Sequence, residues 1–284
     1  MKIPKYWARG IQSAQTTKGK KVTFSCWHWS DVSVEEAKQK ASARANTIIQ
    51  KFINAEKLDR YSYGDRPPRE EIVQVIANQP GQEIGIVTRN AYGALILNAA
   101  KAIFIDIDFP KEKMGKTLTA NLLSSLGKPA PNPEELYCQG IAEWGKKRPE
   151  LGIRVYRTFA GLRCLITNVL FEPGQKDSLD ILHGLGSDPL YIQLCKAQEC
   201  FRARLTAKPW RCGISKPPSR YPWENVQGET NYRQWEKQYS NTASQYVACR
   251  LIKQIGPASI HPEIEPILSL HDRLACSDSK LALA

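Results

Sequence analysis

Apolar positions along this chain recur with two different spacings, and both bear on the fold. In residues 5–29, Val22, Phe24 and Cys26 alternate with polar or aromatic neighbours, which predicts two extended segments. Residues 33–52 carry apolar side chains three or four positions apart behind a capping box that begins at Ser33, which predicts a helix. Segments of both types follow one another to residue 255, so we predict a protein of the α+β class.

The same two spacings assign the rest of the chain. Further helices are predicted over 69–77, 118–126, 132–147, 188–203 and 230–254. Further strands are predicted over 83–89, 93–98, 102–108, 153–158 and 162–167. We therefore predict a single α+β domain over 1–255, with an N-terminal portion 1–80, a core 84–213 and the helix 230–254. Prolines interrupt the pattern after Gly256, so we expect residues 256–284 to form a loosely attached tail.

Two aspartates close the most apolar of the predicted strands, Phe104-Ile-Asp106-Ile-Asp108. Positions i and i+2 of a strand face the same way, so the two carboxylates are expected about 7 Å apart at Cα. Neighbouring acids repel each other unless a positive charge lies between them, and oxygen ligands suit Mg²⁺ or Mn²⁺. We predict that Asp106 and Asp108 are catalytic metal ligands; the alternative is a pair of strand-end acids that face solvent or an arginine.

A polar hairpin is predicted between the strands 153–158 and 162–167. Arg157, Thr158 and Arg163 lie around Gly161, which permits a tight turn and a close approach of the backbone to a ligand. Because guanidinium groups match phosphate oxygens, these three side chains are candidate nucleotide or phosphate ligands. The alternative is a solvated hairpin with salt bridges.

Residues 200–213 combine four cations, a threonine and an indole, with no acid between them. Basic residues interleaved with aromatic ones suit a phosphate backbone and stacked bases. We predict a further phosphate ligand at Lys208 and nucleic-acid contacts at Arg202, Arg204, Trp210 and Arg211. The alternative is a basic helix C-terminus that complements its own dipole.

Asp188 precedes Pro189, a pairing typical of a helix start with an N-cap side chain. It could also supply a third catalytic carboxylate beside Asp106 and Asp108. Asp177 and Asp180 are the other candidates for that third acid.

Charge and composition narrow the class of partner. The 284 residues carry a net charge of +12, and 42% are apolar, which excludes a disordered or collagenous chain. A basic balance of this size favours a nucleic-acid or nucleotide partner, with a merely basic soluble surface as the alternative.

The chain also lacks the patterns of membrane and secreted proteins. No apolar run approaches the roughly 18 residues of a membrane span, and the N-terminus has no apolar signal segment. None of the eight cysteines forms a CxxC pair. We therefore expect a cytoplasmic protein with reduced thiols and no membrane partner.

Taken together, the motifs within 84–213 resemble the archaeo-eukaryotic primase superfamily, which includes primase-polymerases. Its first motif is an apolar strand that ends in Asp-x-Asp, like 104–108 here, and the segment from Arg157 to Arg163 looks like a counterpart of its second. Asp188 or Asp180 would supply its third acid, and 201–208 resembles its basic segment. The family's second-motif histidine is missing, since Arg163 and Cys164 stand in its place.

The resemblance implies an RRM-like, mostly antiparallel sheet with flanking helices. It also implies a nucleotidyltransferase that uses Mg²⁺ or Mn²⁺ and acts on nucleoside triphosphates or nucleic acid. Two alternatives stay open: a non-catalytic nucleic-acid-binding protein that retains the fold, and a metal-dependent phosphohydrolase or glycosyltransferase built on the same Asp-x-Asp pair.

Overall fold

The computed structural model describes residues 1–16, 19–56, 66–110, 132–276 and 280–284. The predicted helix over 118–126 lies outside these residues. In the described part, the protein is α+β with mostly antiparallel sheets, as predicted, and it contains six α-helices. The strands are β1 (Tyr6–Gln15), β2 (Lys21–Ser30), β3 (Glu71–Gln79), β4 (Gln82–Arg89), β5 (Leu95–Ala99), β6 (Phe104–Asp108), β7 (Ile153–Thr158), β8 (Gly161–Ile166), β9 (Phe201–Arg204), β10 (Tyr246–Val247), β11 (Cys249–Ile255) and β12 (Ala282–Leu283). The helices are α1 (Val34–Ile53), α2 (Pro133–Lys146), α3 (Lys176–Gly184), α4 (Pro189–Gln198), α5 (Val226–Ala243) and α6 (Glu265–Ala275).

The first structural unit along the chain is a hairpin covered by one helix, which we call the N-terminal unit. β1 and β2 pair as an antiparallel hairpin, and α1 packs against it through a face of small side chains. The hydroxyl of Ser33 accepts a hydrogen bond from the backbone N–H of Glu36, which starts α1 as the capping box predicted. A side chain at Gly10 would place its Cβ 2.3 Å from the backbone of Ala41, so the helix lies directly on the hairpin.

Two four-stranded sheets form the body of the protein. We call the sheet with the order β3-β4-β5-β9 the outer sheet and the sheet with the order β11-β7-β8-β6 the inner sheet. The inner sheet carries the main core, in which Phe104, Ile105, Ile153 and Leu165 have no exposed surface. β6 and β8 pair antiparallel, and this pairing positions the two aspartates.

Two local predictions differ from the structure. Residues 69–77 were expected to be helical but largely form β3, whose register against β4 shifts at bulges. Bulges break the two-residue alternation, so apolar side chains recur at helical spacing. The helix predicted over 188–203 ends at Gln198, because Glu199 adopts a left-handed conformation (φ 50°), and β9 follows.

The C-terminal part also differs from the prediction. The helix expected over 230–254 is α5, which ends at Ala243, and the chain continues into the inner sheet as β11. The expected loose tail contains α6, which buries Ile267, Leu268 and His271 against the body of the protein. Prolines at the start of this segment hid a helix with a clear apolar face.

Two further features follow from the described residues. None of their helices combines the length and apolar character that crossing a bilayer requires. All eight cysteines fall within them, and each is a free thiol.

Candidate functional site: a cationic cleft with three carboxylates

A cleft of about 1040 Å³ opens between the N-terminal unit and the two sheets. The residues predicted for the site that line it are Asp106, Asp108, Thr158, Arg163, Asp188, Arg202, Arg204, Lys208 and Arg211. Nine cationic and four acidic side chains line the cleft in all, so it carries an excess of positive charge. Such a cleft raises the local concentration of anionic ligands.

The carboxylates come from the end of β6. Asp106 lies opposite Arg163 and Asp108 opposite Gly161 in the pairing of β6 with β8. A Cβ at Gly161 would lie 1.9 Å from the carbonyl oxygen of Ile107, so only glycine lets the strands approach at this point. Ile105 and Ile107, which alternate with the aspartates, are buried in the core, which fixes β6 and presents both carboxylates to the cleft.

Arg163 is buried beneath the site. Its Nε donates to Oδ1 of Asp106 at 2.9 Å, and its Nη1 donates to the carbonyl of Arg204, also at 2.9 Å. His271 lies behind it, with Nε2 3.4 Å from the same Nη1. The predicted phosphate ligand is therefore already paired with a carboxylate, and its burial makes a second partner difficult to reach.

Asp188 performs the capping role and also lies in the cleft. Its Oδ1 accepts a hydrogen bond from the backbone N–H of Leu190 at 3.3 Å and starts α4. Its own backbone N–H and the hydroxyl of Ser187 both donate to the carbonyl of Asp106. The helix start is thus attached directly to β6, and the third carboxylate lies near the first two. Asp180, the alternative third acid, lies on α3 and does not line the cleft.

The three acids influence one another. The pKa of Asp108 is raised above its ordinary value, first by desolvation in the cleft and then by the negative charges of Asp106 and Asp188. Lys208 and Arg211 oppose this shift. Among the described residues, the carboxylate of Asp108 has no hydrogen-bond or ion-pair partner, so its repulsion with the other acids is only partly compensated.

On the opposite side of the site, positive charges lie close together. Burial lowers the pKa of Lys208, and the neighbouring charges of Arg211 and Arg204 lower it further. The pKa of Arg204 falls to about 10, through burial and then through Arg163 and Arg211. Crowded cations beside crowded carboxylates suit a ligand that brings both signs of charge, such as a phosphate group with a divalent cation.

Three predicted ligands have other roles. Arg157 lies outside the cleft, where it pairs with Glu134 at 2.9 Å and donates to the carbonyl of Gly161. Arg202 was expected to contact nucleic acid but lies on β9, buried, with its guanidinium bound to both oxygens of Glu70. Trp210 is half exposed at the rim and meets Tyr92 edge to face. Arg157 and Arg202 are therefore structural ion pairs rather than phosphate contacts.

Sequence reasoning missed the far side of the cleft. We call this side the outer wall; it consists of Trp7, Trp27, Arg66, Arg69, Arg220 and Tyr221. These residues come from four stretches of the chain, so no local motif joins them all. The available signals were the aromatic strand around Trp27 and the paired arginines that flank Pro67 and Pro68.

The donor set of the cleft differs from that of a metal centre built from protein ligands alone. In the ranges that the structure describes, no group of three or more His, Cys, Asp and Glu side chains is arranged to hold a metal ion. The pair Asp106 and Asp108 fits a cation of another type, since Mg²⁺ is usually bound by one or two carboxylates together with substrate phosphates and water. Oδ2 of Asp106 and both oxygens of Asp108 have no partner among the described residues and could serve as such ligands.

Comparison of the chain with protein families, curated proteins and solved structures finds no match. The chemistry of the cleft is therefore inferred from its own residues.

Proposed function

We propose that this cleft binds nucleoside triphosphates or nucleic acid and transfers nucleotidyl groups with the help of divalent cations. The observation that carries the proposal is the placement of Asp106, Asp108 and Asp188 opposite Lys208 and Arg211 in one cleft. Asp106 and Asp108 would hold Mg²⁺ or Mn²⁺. When bound, such cations would activate a 3′-hydroxyl for attack on the α-phosphate and stabilise the pyrophosphate that leaves.

The residues of the chain itself would orient the nucleotide. Lys208 and Arg211 face the carboxylates and would neutralise the phosphate oxygens. Thr158 lines the same part of the cleft and would add a hydroxyl donor. Arg163 would not touch the ligand; it holds Asp106 in place from below.

The resemblance to the primase superfamily supports the proposal through the arrangement of the site residues more than through the strand order of the sheet. The inner sheet has four antiparallel strands, and its chain order of strand, helix and hairpin suits an RRM-like core. However, β6 lies at one end of the described sheet, whereas the opening strand of an RRM-like unit lies inside it. We therefore base the proposal on the carboxylates and the cations that face them.

Calorimetry with Mg²⁺ or Mn²⁺, with and without a nucleoside triphosphate, tests the proposal. The informative variant is Asp108→Asn, because Asp108 has no ion-pair partner in the described structure and its replacement leaves Arg163 paired. The matched control is Asp180→Asn, an exposed carboxylate outside the cleft. We expect metal-dependent triphosphate binding in the wild type and the control, and its loss in Asp108→Asn.

A template-directed extension assay on the same proteins then separates the possible reactions. Incorporation of nucleotides that depends on Asp108 supports the proposal. Incorporation that persists in Asp108→Asn contradicts it, as does turnover of a phosphate ester or nucleotide sugar without a template. The last result would favour a phosphohydrolase or glycosyltransferase.

One observation favours a second candidate, a nucleic-acid-binding protein without catalysis. The ion pair of Arg163 with Asp106 already neutralises one of the two carboxylates. This candidate predicts binding that weakens with salt and is indifferent to Mg²⁺ and to Asp108→Asn. Metal-dependent triphosphate binding would contradict it.

A further inference from the structure

The outer wall of the cleft differs in chemistry from the site around Asp106. Trp27 lies on β2, Arg69 precedes β3, and Arg220 and Tyr221 lie between β9 and α5. The outer wall consists of aromatic residues and arginines, and Glu70, the acidic cleft residue next to Arg69 in the chain, is paired with Arg202. Nothing in this wall resembles a metal site, so it calls for a ligand of another kind.

We propose that the outer wall binds a segment of single-stranded nucleic acid, with its bases on the rings of Trp27 and Tyr221 and its phosphates on Arg69 and Arg220. That this segment is the template of the reaction rests on the proposed function; the binding itself does not.

The charges of the wall support a phosphate backbone. The pKa of Arg69 is lowered by burial and then by the positive charge of Arg220, while Glu224 partly offsets the shift. Glu224 itself pairs with Arg9 at 2.7 Å. In the part of the chain that the structure describes, neither Arg69 nor Arg220 has an ion pair. The positive charges of these two neighbouring arginines repel each other, and neither is neutralised by an ion pair. A phosphodiester group bound between them would relieve this repulsion.

The aromatic side chains support the bases. The guanidinium of Arg69 lies over the Trp27 ring, 4.6 Å from its centre, so one face of this indole is in contact with a cation. Tyr221 meets Trp223 edge to face at 5.4 Å, which fixes the tyrosine ring at the cleft. Rings held in this way provide stacking surfaces that accept any base, which is typical of single-strand binding.

The size and construction of the cleft favour a strand over a single nucleotide. A volume of about 1040 Å³ is at the upper limit of small-ligand pockets, which span roughly 300–1,000 Å³. The buried pair of Glu70 with Arg202 connects the segment that carries Arg69 to β9, which carries Arg204. This link holds the two sides of the cleft at a fixed separation. A single nucleotide bound at Asp108 would leave the outer wall unoccupied, and the next nucleotides of a strand would then contact that wall.

The test is fluorescence anisotropy with a labelled oligothymidylate, titrated over a series of salt concentrations without divalent metal. Arg220→Ala removes an exposed cation of the wall, and Arg273→Ala, an exposed cation on α6 outside the cleft, is the matched control. We expect Arg220→Ala to weaken binding about tenfold and to reduce the salt slope by about one. Trp27→Ala should weaken binding about tenfold while it preserves the salt slope.

Three outcomes would overturn the inference: no binding of the oligonucleotide by the wild type, equal effects of Arg220→Ala and Arg273→Ala, or equal affinity for a duplex of the same length. Thermal unfolding of each variant checks that the fold is retained. A failure of the proposed function can be distinguished from a failure of this inference, because Asp108→Asn should abolish metal–triphosphate binding and leave oligonucleotide binding intact. Conversely, Arg220→Ala should leave metal–triphosphate binding intact.

Discussion

Two arginine–carboxylate pairs line the same cleft, and they differ in exposure. In the pair of Arg202 with Glu70, the side chains are 9% and 7% exposed, and both carboxylate oxygens are bound. In the pair of Arg163 with Asp106, the arginine is 3% exposed but the aspartate is 36% exposed, and only Oδ1 takes part. The first pair is closed on all sides, whereas the second leaves a carboxylate oxygen toward the cleft.

The difference separates a structural ion pair from a candidate ligand site. In a closed pair, the two charges neutralise each other and no polar atom remains free to bind a substrate. An open pair holds the carboxylate in position and still leaves it able to bind. The number of cations in a segment therefore does not reveal function, because Arg202 and Lys208 belong to one basic segment and have opposite surroundings.

The largest effect on stability is expected for Glu70→Gln, which leaves the charge of Arg202 buried and unpaired. Breaking a buried pair in this way costs about 3–5 kcal/mol. Chemical denaturation of the wild type and the variant measures this change. Replacing both partners, as in Glu70→Gln/Arg202→Met, should recover part of the loss. A loss below about 1 kcal/mol for Glu70→Gln would show that the pair is open to water, as surface pairs are.

A smaller loss, about 2 kcal/mol, is expected for Asp106→Asn, the matching change in the open pair. Arg163 would lose its charged partner but keep the carbonyl of Arg204, and water can reach the exposed aspartate position. The same denaturation experiment measures this value. Equal losses for Glu70→Gln and Asp106→Asn would remove the distinction between the two pairs.

The sequence predicted most of the fold where local signals and tertiary contacts agree. The cap at Ser33, the helix predicted over 132–147 and the strand that carries the two aspartates at 104–108 all form as expected. The predictions failed where distant contacts decide the structure. β3 is bulged against β4, and Leu251 lies on β11 because that segment pairs with β7, which helical spacing could not reveal.

In the candidate site too, local geometry could be predicted from the sequence, whereas contacts between distant segments could not. Asp106 and Asp108 could be predicted because two positions of one strand determine their common side. The partner of Arg163 could not, since Asp106 lies 57 positions away in the chain. His271 was placed in a loose tail, yet it lies against Arg163 and Cys249, because α6 folds back onto the inner sheet. The outer wall was missed for the same reason.

His271 gives a prediction on pH that tests how Arg163 is held. Burial lowers its pKa below the ordinary value of 6.5, and Arg163 lowers it further, while Asp272 opposes the shift. Cys249, Tyr156 and Phe104 also face the ring. The folded state therefore binds fewer protons than the unfolded state. The stability contributed by this group is fully present above pH 6.5 and is lost as the pH falls through the lower folded pKa.

Unfolding free energies over this pH range, for the wild type and His271→Gln, measure that contribution. The matched control is His183→Gln, at an exposed histidine of α3. We expect the acid-side loss of stability to shrink in His271→Gln and to persist in the control. An unchanged pH dependence in His271→Gln would mean that the ring is not held neutral behind Arg163.

The smallest effect on stability is expected for Asp108→Asn, although its effect on ligand binding should be complete. Desolvation and the charges of Asp106 and Asp188 raise the pKa of Asp108, so its ionised form is disfavoured in the folded protein and a neutral amide relieves repulsion. The unfolding free energy should change by less than about 0.5 kcal/mol, in the direction of higher stability if it moves. Denaturation under metal-free conditions measures this change. A loss as large as that of Asp106→Asn would show that Asp108 has a structural partner. A neutral or stabilising change combined with lost triphosphate binding is what a residue kept for a ligand would show, because such a residue contributes to binding and not to the fold.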